Sequence, residues 1–168
     1  MSESPLYALL NQINAAAKGG LHLLAIGMAV ALPDVCVSLI SDDGRSDGER
    51  YKKWCEDNLK GDGFSYVTPD DLYSMRCGVL HNGRFGDLKH SVKRVVFVPP
   101  NLAQIQFTNC KADDVYLYSV VTFCENITKA AYQWYESNRH EATVTANSTR
   151  LMQYRNDFDL VGGVWVIA

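Results

Sequence analysis

The run Leu21 to Leu32, LHLLAIGMAVAL, limits what this chain can fold into more than any other stretch. Its one polar residue is His22. A helix that is apolar all round needs neighbours on every side. The run is shorter than the roughly 20 residues a bilayer crossing requires, and extending it would bury His22, Pro33 and Asp34. The expectation is therefore a central core helix and no membrane span. Pro33 either kinks that helix or opens a new one, Pro33 to Ile40, carrying Val35, Cys36 and Leu39. Asp34 is then a carboxylate beside the core. A chain of 168 residues can bury such a helix without staples, so a single domain over 1–168 is expected.

Elements to surround that helix are visible on both sides of it. Pro5 to Lys18 places Leu6, Leu9, Leu10, Ile13 and Ala17 on one helical face, and Gly19-Gly20 ends it. Ser41 to Gly48 is a turn-rich loop. It lacks the ligand spacing and closing Glu of a calcium loop, and the Gly-Lys-Ser/Thr ending of a phosphate loop. Glu49 to Leu59 turns Tyr51, Trp54, Cys55 and Leu59 inward. Val92 to Val98 is β-branched and stopped by Pro99-Pro100, and Leu102 to Thr108 alternates apolar and polar, which predicts a small antiparallel hairpin. Asp113 or Asp114 is then expected to cap a long helix from about Val115 to Ser137. Glu141 to Ala168 is ambiguous: a helical turn at Arg150–Arg155 and a last strand at Val164–Ile167 are both open. The fold class expected is mainly α, a helical bundle with one small hairpin.

Five cysteines, an odd number with no CxxC pair, argue against both a disulfide framework and a zinc site. No metal and no cofactor is expected. The start, MSESPLYALLNQ, lacks the basic residues and apolar run of a signal peptide. A reducing, cytoplasmic setting fits both features, and the sequons at Asn126 and Asn147 would matter only in a secreted protein.

Thr68 to Arg84, TPDDLYSMRCGVLHNGR, carries the chemistry. Thr68 and Asp71 have capping-box spacing, Pro69 fits the first helical position, and Asn82-Gly83 tolerates the left-handed conformation that ends helices. Inside lie Arg76 and His81. At about 100° per residue, Leu72, Met75, Val79 and Leu80 form an apolar arc with Arg76 near its middle, and His81 falls roughly 140° away from Arg76. A guanidinium in an apolar arc needs a partner. Asp34 is the natural internal candidate; an anion from outside is the alternative.

Net charge is −3, which by itself argues against a general nucleic-acid binder. Yet between Ser74 and Arg94 five cations, Arg76, Arg84, Lys89, Lys93 and Arg94, stand against Asp87 alone. A local positive site on an acidic protein could hold a phosphate chain, and it could equally be a solvated loop. On the first reading Asn82, Arg84, Lys89 and Lys93 are the candidate substrate-binding residues.

The run Asp71-Leu72-Tyr73-Ser74-Met75-Arg76-Cys77-Gly78-Val79-Leu80-His81-Asn82-Gly83 resembles the Arg-(four to six residues)-His signature of the HEPN superfamily, in the form LYxLRxxxLHxG found among its bacterial members. The resemblance covers about the first half of the chain. It implies a HEPN-like helical bundle and a dimeric, metal-independent endoribonuclease acting on single-stranded RNA, in which two copies of the motif meet across a two-fold axis. Arg76 would hold the scissile phosphate, and His81 would exchange a proton with the ribose 2′-hydroxyl or the leaving oxygen. A dimer would also let residues that point apart on one helix converge with their symmetry mates. Many catalytic members carry Asn, Asp or His after the Arg, where this chain has Cys77. The alternative is therefore a non-catalytic HEPN-like module that binds RNA or a partner, as in toxin–antitoxin and defence systems.

Overall fold

A computed structural model describes residues 4–83, 94–99, 110–113, 115–152, 159–161 and 164–166. The first helix, α1 (Pro5–Lys18), buries Leu6, Leu10, Ile13 and Ala17, one face at helical spacing. Gly20, at φ 87°, turns the chain back into α2.

Helix α2 (His22–Ile40) is a single 19-residue helix with Pro33 inside it, so the proline starts no new element. By length and composition it could cross a membrane, but half of its most apolar window is buried in the fold. Ala25, Ile26, Ala29, Val30, Leu32, Cys36, Val37 and Leu39 enter the core. Neighbours do not surround it completely: Leu23 is 74% exposed, Leu24 66% and Met28 38%. Its first turns have an open side.

Asp47 caps α3 (Gly48–Asn58) by accepting from the Arg50 N–H, and Tyr51, Trp54 and Cys55 face inward. Tyr51 is fully buried, and its hydroxyl donates to the Val30 carbonyl at 2.8 Å, with the Leu72 carbonyl 3.4 Å away. This one side chain fastens α3 to both neighbouring helices. A 3₁₀ turn (Asp62–Phe64) leads to α4 (Pro69–Cys77), which opens on a complete capping box between Thr68 and Asp71. Gly78–Asn82 follows as a π-helical turn, and Gly83 ends it at φ 63°.

The β structure differs from a 92–98/102–108 hairpin. Strand β1 (Arg94–Val98) runs parallel to a strand further on, and 102–108 lies outside the described residues. The antiparallel hairpin joins β2 (Cys110–Ala112) to β3 (Val115–Ser119), with Asp113 at φ 52° in its turn. Sheet order is β1-β3-β2. Residues 115–119, expected as the first turn of a helix, are extended because Tyr116 and Tyr118 point into the core and alternate with the half-buried Val115, Leu117 and Ser119. Phe97, Tyr118, Phe123 and Phe64 then stack edge to face or tilted, joining the sheet to the bundle.

Ser119, not Asp113 or Asp114, caps α5 (Val120–Asn138), accepting from the Thr122 N–H. Helices α1, α2 and α5 pack against one another, and Phe123, Cys124, Ile127 and Ala131 bring the α5 stripe into the core. The short α6 (Ala142–Ser148) lies on α2, where the Asn147 amide serves the carbonyls of Ser38, Leu39 and Ser41 at 3.2, 3.1 and 2.9 Å. That amide stands in for the missing next turn of α2. Strands β4 (Asp159–Val161) and β5 (Val164–Val166) pair antiparallel. The architecture is mainly α with a small β element.

Candidate functional site

Helices α2 and α4 run antiparallel past one another. Arg76 meets Asp34, and three residues further along, the Val79 Cγ1 lies 3.5 Å from where a Gly27 side chain would begin, two turns back along α2. Glycine at position 27 lets the chain after α4 come this close. Leu80, the residue after Val79, is 46% exposed.

Asp34 accepts from the Arg76 Nε at 2.7 Å, across 42 residues of sequence. Both side chains are largely buried, 19% and 25% exposed, so the pair is sheltered but not sealed. Partial burial works against the guanidinium charge; the bond to Asp34 and its carboxylate charge more than offset it, and Cys77 adds a little, leaving the Arg76 pKa above its ordinary value. Arg76 is therefore a permanent cation, held by one edge.

Its other edge points at His81. Nη1 lies 3.4 Å from the His81 Nε2 and 3.9 Å from the Cys77 Sγ. The 140° separation expected from a regular α-helix does not hold, because the helix changes period between the two residues. In the π turn the Gly83 N–H bonds five residues back to the Gly78 carbonyl, and the wider turn brings a side chain five positions on nearly back over its starting point. No second subunit is needed to bring the pair together. His81 is exposed, and it accepts from the guanidinium only in the tautomer that leaves Nε2 bare.

Tyr73, which no motif in the chain singles out, completes the surroundings. Partial burial raises its hydroxyl pKa, the neighbouring Cys77 thiol adds to the rise, and Arg76 opposes it. Its ring packs 5.4 Å from that of Tyr51. The one signal available was spacing: Tyr73 precedes Arg76 by three residues and Cys77 by four, one helical turn. Asn82 closes the π turn. Arg84, Lys89 and Lys93 lie outside the described residues. Among the described residues no cluster of His, Cys, Asp and Glu could hold a metal ion.

The arrangement is an anchored guanidinium with a free edge at an exposed imidazole. Such a pair can hold an anion and move a proton beside it. No family model, curated protein or solved structure matches this chain.

Proposed function

We propose that this chain is a HEPN-type helical domain whose Arg76 and His81 form a metal-independent endoribonuclease site for single-stranded RNA. The observation that carries the reading is the 3.4 Å approach of the Arg76 Nη1 to the His81 Nε2, with the Arg76 Nε tied back to Asp34. A phosphodiester placed against the free guanidinium edge puts its ribose within reach of the imidazole. His81 would take the proton from the 2′-hydroxyl as O2′ attacks phosphorus and the P–O5′ bond breaks. The products are a 2′,3′-cyclic phosphate and a 5′-hydroxyl end. Arg76 would stabilise the charge that builds on the phosphoryl oxygens, and RNA supplies its own nucleophile. Return of a proton to O5′ calls for a second acid, which His81 of a second copy would provide.

A homodimer is part of this proposal. Leu21, Leu23, Leu24 and Leu80 are 57%, 74%, 66% and 46% exposed, apolar side chains of the kind that mark protein contacts, and Val79, beside Leu80, packs against Gly27, one turn on from Leu23 and Leu24. A cytoplasmic setting belongs to the same reading.

Wild-type protein is expected to cut a fluorescent single-stranded RNA into cyclic-phosphate products in the presence of a chelator, with Arg76→Ala and His81→Ala inactive. RNA left intact by wild type at stoichiometric concentration would count against the enzyme. One observation favours a second reading: Asp34 already neutralises Arg76, and a thiol, Cys77, sits where a polar side chain would assist. The domain would then bind RNA or a regulatory partner such as an antitoxin without cutting. Salt-sensitive RNA retention without cleavage would select it.

A further inference from the structure

A cavity of about 300 Å³ opens where the end of α3 and the 3₁₀ turn face α5. Its size is at the lower end of the range that holds small ligands. Asn126, Lys129, Ala130 and Gln133 line one side, at the i, i+3, i+4, i+7 spacing of a single helical face. Asn58, Lys60 and Phe64 line the other. Among the described side chains the lining holds two cations, three carboxamides and no carboxylate.

In a chain of net charge −3 that selection is informative. Two acids flanking the lining residues are taken up elsewhere: Lys53 holds Asp57 at 2.8 Å and Lys18 holds Glu125 at 2.8 Å. Lys60 and Lys129 form no ion pair among the described residues. A buried polar group also sits behind the wall. The Tyr118 hydroxyl, in a residue 1% exposed, has the Asn126 amide beside it. It lies 3.5 Å from where a side chain on Gly63 would start, and the Asn126 Nδ2 occupies nearly the same point. Glycine at 63 is what lets that amide and hydroxyl come together against the cavity.

We propose that this cavity binds a phosphorylated sugar, with Lys60 and Lys129 on the phosphate and the carboxamides of Asn126 and Gln133 on the hydroxyls. Two ammonium groups suit a phosphate monoester dianion. A carboxamide both donates and accepts, which matches vicinal hydroxyls, and Phe64 offers an apolar wall to the ring carbons. The site is independent of Arg76 and stands or falls separately from the ribonuclease reading.

Calorimetric titration of the full chain with ribose 5-phosphate, ribose and inorganic phosphate tests it. Ribose 5-phosphate is expected to bind, phosphate more weakly and ribose not measurably. Lys60→Gln/Lys129→Gln should weaken ribose 5-phosphate about tenfold or more, given the strength of charged hydrogen bonds, and Asn126→Asp should do the same by placing a carboxylate in the site. Arg76→Ala should leave binding unchanged. The lysines are exposed, so unchanged melting of the double variant will show that it folds. Absence of binding at millimolar ribose 5-phosphate overturns the proposal. So does equal affinity in the lysine variant, or loss of binding in Arg76→Ala, which would move the ligand to the other site.

Discussion

Arg76 and His81 are five residues apart on one helical run, yet the Nη1 of one lies 3.4 Å from the Nε2 of the other. A continuous α-helix would have sent His81 to a different face. The π turn Gly78–Asn82 instead returns it over Arg76, so both functional groups belong to one subunit and one surface. Asp34 fixes the far edge of the guanidinium and thereby sets which edge faces His81.

Asp34→Asn separates the two readings of that anchor. The pair is less than one-third exposed, so losing the carboxylate charge should cost about 1–3 kcal/mol in urea unfolding. If Arg76 acts on phosphate, the loosened guanidinium should also lower RNA cleavage about 100-fold, the usual effect of a misplaced catalytic group. Cleavage at the wild-type rate in a folded Asp34→Asn protein would show that the anchor has no part in positioning.

Alkaline pH should unfold the protein in a defined window. Burial, with the nearby Tyr66 adding to it, pushes the Tyr116 hydroxyl from 10.0 to about 12. Burial, then Glu125, pushes the Cys124 thiol from 9.0 to about 12. Both folded values lie above the unfolded ones, so the native state is favoured fully below about pH 9 and loses stability as pH climbs to about 12. Each group contributes on the order of 2–4 kcal/mol across that interval. The midpoint in urea should be flat from pH 7 to 8.5 and then fall, and Tyr116→Phe should flatten the descent.

Asn147→Ala tests how α2 ends. Its amide donates toward the carbonyls of Ser38 and Leu39, which have no next helical turn to bond with, and of Ser41, which also accepts from the Gly44 N–H. Truncation should cost about 1–3 kcal/mol, read as a lowered urea midpoint with unchanged slope. A sugar attached at this nitrogen would break the same bonds.

Much of the path of the chain could be read from local chemistry. The Thr68–Asp71 capping box, Pro69 at the first helical position and left-handed Gly83 are all present because each states its own backbone requirement. The π turn could not be read this way, since i→i+5 bonding leaves no mark in residue type. Strand β3 was hidden because Asp113-Asp114 looks like a helix cap, and only Tyr116 and Tyr118, two apart and both buried, disclose an extended segment. For α2, a uniformly apolar run says that burial is wanted but not where it stops. Leu23 and Leu24 stay open because no described element packs over that end of the helix. The Lys60/Lys129 cavity assembles from segments some 65 residues apart, a relation only the fold creates.

Gly48→Ala carries a prediction whose sign is set by one neighbour. Alanine is favoured over glycine in a helix by about 1 kcal/mol, and position 48 has a negative φ, so the backbone alone would welcome it. The space does not. A Cβ there would stand 2.8 Å from the Tyr73 Cζ, 2.9 Å from its hydroxyl oxygen and 3.2 Å from its Cε1. The ring cannot yield freely, because it packs against the buried Tyr51 ring that links α3 to α2 and α4. Gly48→Ala should therefore destabilise the protein by about 1–3 kcal/mol, the usual cost of overpacking. With Tyr73→Ala already present, the three closest contacts of the added methyl are gone, and the same change should become neutral or stabilising. A double-mutant cycle measures that reversal directly. Tyr73 also adjoins Cys77 and feels the charge of Arg76. The single Gly48→Ala variant should accordingly lower RNA cleavage more than its loss of stability accounts for. Additive effects in the cycle would mean the tyrosine ring moves aside at no cost, and the glycine would then be explained by nothing near it.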